Sequence, residues 1–174
     1  PLATFALDTY GSDPCACFQL KGANACSPSE TELNIRMHKA ISIIQFKVEG
    51  QIIKEHPEFC LEDRNLLHRI DLDKGTILLE GGAQEMLDSH FPTMDPADPY
   101  RLTAEENAIM ERLAAAFQNC EKLQQHMRFL LAKGSLYKVY NGNLLYHGCI
   151  PLNRDGSFKE VDIYGQNYKG KSLY

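Results

Sequence analysis

The chain has 174 residues, of which 44% are apolar and 24% are charged. These proportions are those of an ordinary globular protein, and the length fits one domain with a sizeable core. The 18 basic and 23 acidic residues give a formal charge of −5 with no basic tract, which argues against nucleic-acid and membrane-surface partners. No apolar run reaches transmembrane length and no secretory signal pattern is present, so we expect a cytoplasmic protein without a membrane partner.

The first third of the chain predicts two helices separated by a loop. Apolar residues recur at helical spacing over Leu2–Tyr10. Residues 11–27 are rich in Gly, Ser, Asp and Asn and predict a loop. The sequence SPSE, from Ser27 to Glu30, has the pattern of a capping box with a first-turn proline. It therefore predicts the start of a long helix, which Pro57 ends at about His56.

The middle of the chain predicts a short helix, a hairpin and a second long helix. The short helix spans 60–70, the hairpin spans 76–87, and residues 88–102 form a loop with three prolines. A second capping box, TAEE at 103–106, opens a helix of about 30 residues that ends at Lys133, with Gly134 as a left-handed cap. We expect the two long helices to pack antiparallel. The predicted inward side chains of the second are Ile109, Leu113, Ala116, Phe117, Cys120, Leu123, Met127, Leu130 and Leu131.

After residue 134 the apolar pattern changes to the period of two that is typical of strands. Strands are predicted at 136–140 and 143–149, joined by Asn141-Gly142 as a type I′ turn. A turn at 155–156 and a third strand at 158–164 follow. The fold class is therefore α+β: two long antiparallel helices with short helices and a small hairpin, followed by a short antiparallel β segment.

His147 is the candidate metal ligand of the chain. It is predicted at the end of a strand, and Gly148 behind it leaves room for another group to approach. A lone histidine on a strand is more often simply packed or solvated, because one ligand does not make a metal site. The other five histidines have no ligand spacing between them, and we expect packing or interface roles for His38, His56, His68, His90 and His126.

The cysteines allow a second hypothesis. Cys15, Cys17 and Cys26 could supply three thiolates to zinc, but their spacing differs from that of usual zinc knuckles and no fourth ligand follows closely. Without a secretory signal, reduced cytosolic thiols are favoured over this zinc site.

Three blocks of the sequence resemble one known family. They are NGNLLYHGCIPL at 141–152, HKAISIIQFKVEGQIIKEHPEF at 38–59, and NCEKLQQHMRFLLAKGSLY at 119–137. All three are similar to the bacterial class III fructose-1,6-bisphosphatases, which belong to the calcineurin-like metallophosphoesterase superfamily. The resemblance is weakest at 11–30 and 155–174.

The resemblance implies a metal-dependent phosphatase that converts fructose 1,6-bisphosphate to fructose 6-phosphate and phosphate in gluconeogenesis. It implies that His147 is one ligand of a dinuclear manganese site, in which two ions activate a bridging hydroxide. The other metal-binding motifs of the superfamily are absent here. We therefore expect an inactive internal fragment with no catalytic residue of its own and no assignable substrate-binding residue.

The resemblance also implies a division of the chain. Residues 1–133 resemble a helical insertion, and residues 134–174 resemble part of the phosphoesterase core sheet. The chain begins at Pro1 without an initiator Met, and we expect both ends to be cuts within a longer protein. A sheet cut from its neighbours would expose apolar side chains and strand edges, and such edges could pair into a homo-oligomer. The alternative, a stand-alone helical regulatory or interaction module, predicts a polar surface around 135–150.

Overall fold

A computed structural model describes residues 1–19 and 27–173. Within these residues the chain forms four α-helices: α1 (Leu2–Tyr10), α2 (Pro28–Glu55), α3 (Ala104–Gln118) and α4 (Glu121–Lys133). Small antiparallel sheets complete the structure, and the predicted α+β class is confirmed. The chain divides into two compact units, residues 1–115 and residues 116–174. No helix in the described part of the chain is both long and apolar enough to cross a bilayer.

The core of the first unit lies between α1 and α2. Ala6 and Tyr10 of α1 are buried with Ile35 and Ala40 of α2, and Cys15 closes the cluster from the connecting segment. α2 begins where the sequence predicts, since both hydrogen bonds of its capping box are present between the residues at its N-cap and N3 positions. The principal helical neighbour of α2 is thus α1, not the second long helix that the sequence suggests.

A three-stranded antiparallel sheet follows α2. Its strands are β1 (Ile70–Asp71), β2 (Thr76–Leu79) and β3 (Gly82–Glu85), which confirms the hairpin predicted at 76–87. The helix predicted at 60–70 is wrong. Cys60 has a φ of +51°, a left-handed conformation that an α-helix cannot include, and only short 3₁₀ turns form on either side.

The predicted 30-residue helix is broken in two. Cys120 is extended, with φ −79° and ψ 99°, so α3 ends at Gln118 and α4 starts at Glu121. Gly134 after α4 is also extended rather than left-handed. None of the residues of α4 is buried, and Leu131 at its end is 82% exposed, so the predicted inward stripe is not covered there.

The second unit contains two β-hairpins. Strands β4 (Tyr137–Tyr140) and β5 (Asn143–Tyr146) form the first, and β6 (Val161–Ile163) and β7 (Gln166–Tyr168) form the second. Asn141 and Gly142 have φ values of +48° and +75°, which confirms the type I′ turn. The strand predicted at 158–164 is wrong in its extent, because Phe158 forms only an isolated bridge with Leu152. The family resemblance implies a different division, into a helical insertion at 1–133 and a segment of the core sheet at 134–174. That division stays a prediction.

Candidate functional site

His147 lies one residue beyond the end of β5. Its backbone N–H donates to the carbonyl oxygen of Leu136 at 3.1 Å, so the hairpin ladder fixes its position while its side chain is exposed. Gly148 has a φ of +90°, and a side chain at that position would meet no atom within 4 Å. The space beside the imidazole is therefore open, and a second group has room to approach it.

The residues around His147 do not complete a metal site. Across residues 1–19 and 27–173, no group of three His, Cys, Asp or Glu side chains is arranged to hold a metal ion. One imidazole is too few for a stable centre, since structural and catalytic metal sites use three or more protein ligands. Among the described residues, His147 is thus not part of a cluster of three metal-binding side chains.

The hairpin that carries His147 has an apolar surface. Val139 and Tyr140 of β4 are each 62% exposed, and Leu144 and Leu145 of β5 are about half exposed. Contiguous apolar side chains at a surface usually mark a face that another structure covers. The polar surface that a stand-alone module predicts around 135–150 is not observed.

The cysteines show no metal arrangement within the described part of the chain. Cys15 is buried in the α1–α2 core, Cys17 is exposed, and Cys26 lies outside the described residues. Burial, followed by the nearby negative charge of Asp13, raises the pKa of the Cys15 thiol. Because metals bind the thiolate, this environment disfavours Cys15 as a zinc ligand.

A buried charge cluster that sequence reasoning missed joins α2 to two loops. The Lys39 ammonium donates to Asp13 Oδ2 and to Asp88 Oδ1, each at 2.6 Å. The side chains of the lysine and the two aspartates are 0%, 2% and 6% exposed. Asp13 also contacts the exposed His90 ring, with 2.7 Å between Oδ2 and Nδ1. Burial acts against ionisation of Asp13, but the hydrogen bonds from Lys39 and His90 outweigh it and lower its pKa to about 2.

A second buried lysine joins α2 to the start of α3. Lys47 donates to both carboxylate oxygens of Glu106, at 2.8 and 3.0 Å, and to the Thr93 carbonyl oxygen at 2.7 Å. The Glu106 carboxylate also accepts from the Thr103 backbone N–H at 2.8 Å, while Thr103 Oγ1 accepts from the Glu106 N–H. The predicted capping box of α3 is confirmed, and its glutamate has a second role as the counter-ion of Lys47.

Three of the other histidines contact aromatic side chains. His38 makes an edge contact with the Phe18 ring at 5.4 Å between centroids, and His68 Nδ1 lies 2.9 Å from the Tyr100 hydroxyl. His56 stacks on Phe59. Among the described residues, these contacts do not bring the histidines together as a ligand set.

The fold and the site together define an α+β segment that supplies one strand-end histidine and a densely hydrogen-bonded helical core. All 174 residues match the model of the Firmicute fructose-1,6-bisphosphatase family, and the chain belongs to that family. The resemblance carried by its three sequence blocks is thereby confirmed.

Curated relatives show the same relationship. A protein of Clostridium novyi (strain NT) named fructose-1,6-bisphosphatase class 3 is 55% identical over 99% of this chain and 26% of its own length. Proteins of the same name from Listeria innocua and Clostridium tetani are 53% and 54% identical, again over 99% of the chain and 27% and 26% of their own lengths. The chain thus spans about a quarter of the length of these relatives. No solved structure matches the chain.

Proposed function

We propose that this chain is a segment of a phosphatase that hydrolyses fructose 1,6-bisphosphate to fructose 6-phosphate and phosphate in the cytoplasm, as a step of gluconeogenesis. The observation that carries the proposal is the family match, which extends over all 174 residues. Relatives with more than half of their aligned residues identical are named for this activity. Because the chain spans about a quarter of those relatives, the segment by itself is expected to be inactive.

Within that enzyme, we propose that His147 is one ligand of a dinuclear manganese site of the metallophosphoesterase type. An exposed imidazole supports this role, on a residue whose backbone is held by a hydrogen bond to Leu136 and which is followed by the open Gly148 position. The described residues lack the remaining ligands, so those would come from other parts of the full-length protein. For this reason no step of the hydrolysis is assigned to the segment itself.

The test is a His147→Ala variant of the full-length protein. Phosphate release from fructose 1,6-bisphosphate should fall by about a hundredfold or more, in line with the loss of a metal ligand. Bound manganese, measured by mass spectrometry after desalting, should fall with it. His126→Ala is the matched control, since His126 is also an exposed histidine of the second unit and lies on α4. A His147→Ala protein with wild-type turnover and wild-type metal content would remove His147 from the site.

A stand-alone regulatory or interaction module is the competing function. The exposed apolar side chains of β4 and β5 do not favour it, because a module that works alone has no cover for them. Assay of the isolated 174-residue chain with manganese and fructose 1,6-bisphosphate should give no phosphate release. Restoration of turnover when the missing remainder of the enzyme is supplied in trans would support the phosphatase segment directly.

A further inference from the structure

Lys138 of β4 lies on the same face of its hairpin as His147. The register of the two strands pairs Lys138 with Leu145. The backbone hydrogen bond from His147 to Leu136 continues this register past the end of β5. Because side chains alternate between the two faces of a strand, residues two apart share a face, and these four residues therefore lie together. Lys138 is the diagonal cross-strand neighbour of His147 on that face.

The position of Lys138 places its ammonium within reach of a group held beside the His147 imidazole. Diagonal neighbours in an antiparallel pair are about 7–8 Å apart, a distance that a long side chain can span. The Lys138 side chain is exposed. Across residues 1–19 and 27–173, no carboxylate forms an ion pair with it. The ammonium is therefore available to a ligand.

The neighbours of Lys138 on this face are apolar. Leu136, Tyr140 and Leu145 are each more than half exposed. Contiguous apolar side chains usually mark a face that another structure covers. A lysine within a covered face needs an anionic partner, because burial of an unpaired ammonium is strongly unfavourable. Within the described part of the chain there is no such partner, so the anion comes from outside it.

The charge of the second unit also favours an anionic ligand. Residues 116–174 contain eight Lys and Arg and four Asp and Glu, a net charge of +4 in a chain whose total is −5. One of the four acidic side chains, Glu160, is already paired with Lys169 at 3.0 Å. Positive charge on the unit that carries His147 raises the local concentration of a negatively charged substrate.

We propose that Lys138 is a substrate-binding residue whose ammonium donates to the phosphoryl group that the enzyme releases. The inference rests on the proposed function, since it requires that this phosphoryl group lies beside His147. Phosphoryl oxygens satisfy the donors of an ammonium and neutralise its charge, and lysine is a common phosphate ligand. A carboxylate from elsewhere in the full-length protein is the competing partner, and it would leave Lys138 with a structural role only.

The first test uses the full-length protein with bound manganese. In Lys138→Met, kcat/KM for phosphate release from fructose 1,6-bisphosphate should fall about tenfold or more, because a charge-assisted hydrogen bond is lost. Bound manganese should stay at the wild-type level. Lys122→Met, at an exposed lysine in the first turn of α4, is the control and should behave as the wild type. Wild-type kcat/KM in Lys138→Met, or loss of manganese together with turnover, would overturn the inference.

Inorganic phosphate separates a substrate-binding lysine from a structural one. Titrated by calorimetry, it should bind Lys138→Met about tenfold or more weakly than the wild type. In the wild-type protein, phosphate at about ten times its dissociation constant should slow the acetylation of Lys138 by acetic anhydride about tenfold, and that of Lys122 not at all, as measured by peptide mass spectrometry. This second measurement needs no variant.

A lysine held by a carboxylate of the protein would show neither effect of phosphate. Equal phosphate affinity in wild type and Lys138→Met, or acetylation of Lys138 that phosphate does not slow, would therefore overturn the inference. If the wild type hydrolyses fructose 1,6-bisphosphate and either of these results is found, the proposed function stands and only the role of Lys138 is wrong. A full-length wild type that does not hydrolyse this substrate would overturn both.

Discussion

Replacement of Lys39 by methionine should strongly destabilise the first unit. The substitution keeps most of the aliphatic volume but leaves the carboxylates of Asp13 and Asp88 buried without the cation that lies 2.6 Å from each. Removal of one partner of a buried ion pair costs about 3–5 kcal/mol, because the remaining charge stays desolvated. For a chain of this size the expected fall in melting temperature is about 6–20 °C. Urea unfolding of the 174-residue chain, followed by the far-ultraviolet signal of its helices, measures the change.

The pH dependence tests the reasoning more sharply. In the wild type, the pKa of Asp13 is lowered from 3.8 to about 2, so its contribution is present above about pH 4 and is lost as the pH falls towards 2. That contribution is about 2 kcal/mol. In Lys39→Met, burial still raises the pKa of Asp13, but the hydrogen bond from Lys39 that lowers this pKa is gone. The neutral carboxyl of Asp13 is therefore favoured in the folded variant. The unfolding free energy of the variant should therefore rise as the pH falls from 7 towards 4.

Two comparisons complete this experiment. Lys74→Met removes an exposed lysine from its ion pair with Asp71 and should change stability little at any pH. Adding Asp13→Asn and Asp88→Asn to Lys39→Met removes both uncompensated charges and should recover a large part of the loss. The electrostatic argument would be refuted if Lys39→Met had the unfolding free energy of the wild type. It would also be refuted if the unfolding free energy of the variant changed between pH 7 and 4 as that of the wild type does.

Two further substitutions test other contacts in the 174-residue chain. Glu106→Gln should lower the unfolding free energy, measured in urea, by about 3 kcal/mol or more, because it leaves the buried Lys47 without a carboxylate. The glutamine can still cap α3. Glu105→Gln, at the exposed neighbouring residue, is the control and should have little effect. Gly50→Ala should destabilise α2 by about 1–3 kcal/mol because the new Cβ overlaps the Tyr100 ring, although alanine normally favours a helix. In a Tyr100→Ala background the same substitution should stabilise the protein, and a loss in both backgrounds would contradict the overlap.

The sequence predicts the features of this fold that are encoded locally. The capping boxes at Ser27 and Thr103 and the Asn141-Gly142 turn each need only neighbouring residues, and each is present in the structure. The break in the second long helix has no such signal, since neither glycine nor proline marks it. The extended conformation of Cys120 interrupts an apolar period that continues on both sides.

The buried charges are the part that the sequence does not reveal. Lysine is rarely buried, so Lys39 and Lys47 are expected on the solvent face of an amphipathic helix. Their partners lie 49 and 59 residues further along the chain, at Asp88 and Glu106, and no local pattern connects residues at such distances. For His147, by contrast, the local pattern and the family resemblance provide the hypothesis.

The attachment of the proline-rich segment 88–102 to α2 has a consequence for its dynamics. This segment contains neither helix nor strand, and such loops are ordinarily the first sites of proteolytic cleavage. Here Lys39, Lys47 and Gln51 of a single helix bind it at three successive points, at residues 88, 93 and 100. A protease should therefore cut this segment more slowly than an unattached loop of the same length, because a cleavable conformation requires these contacts to α2 to open.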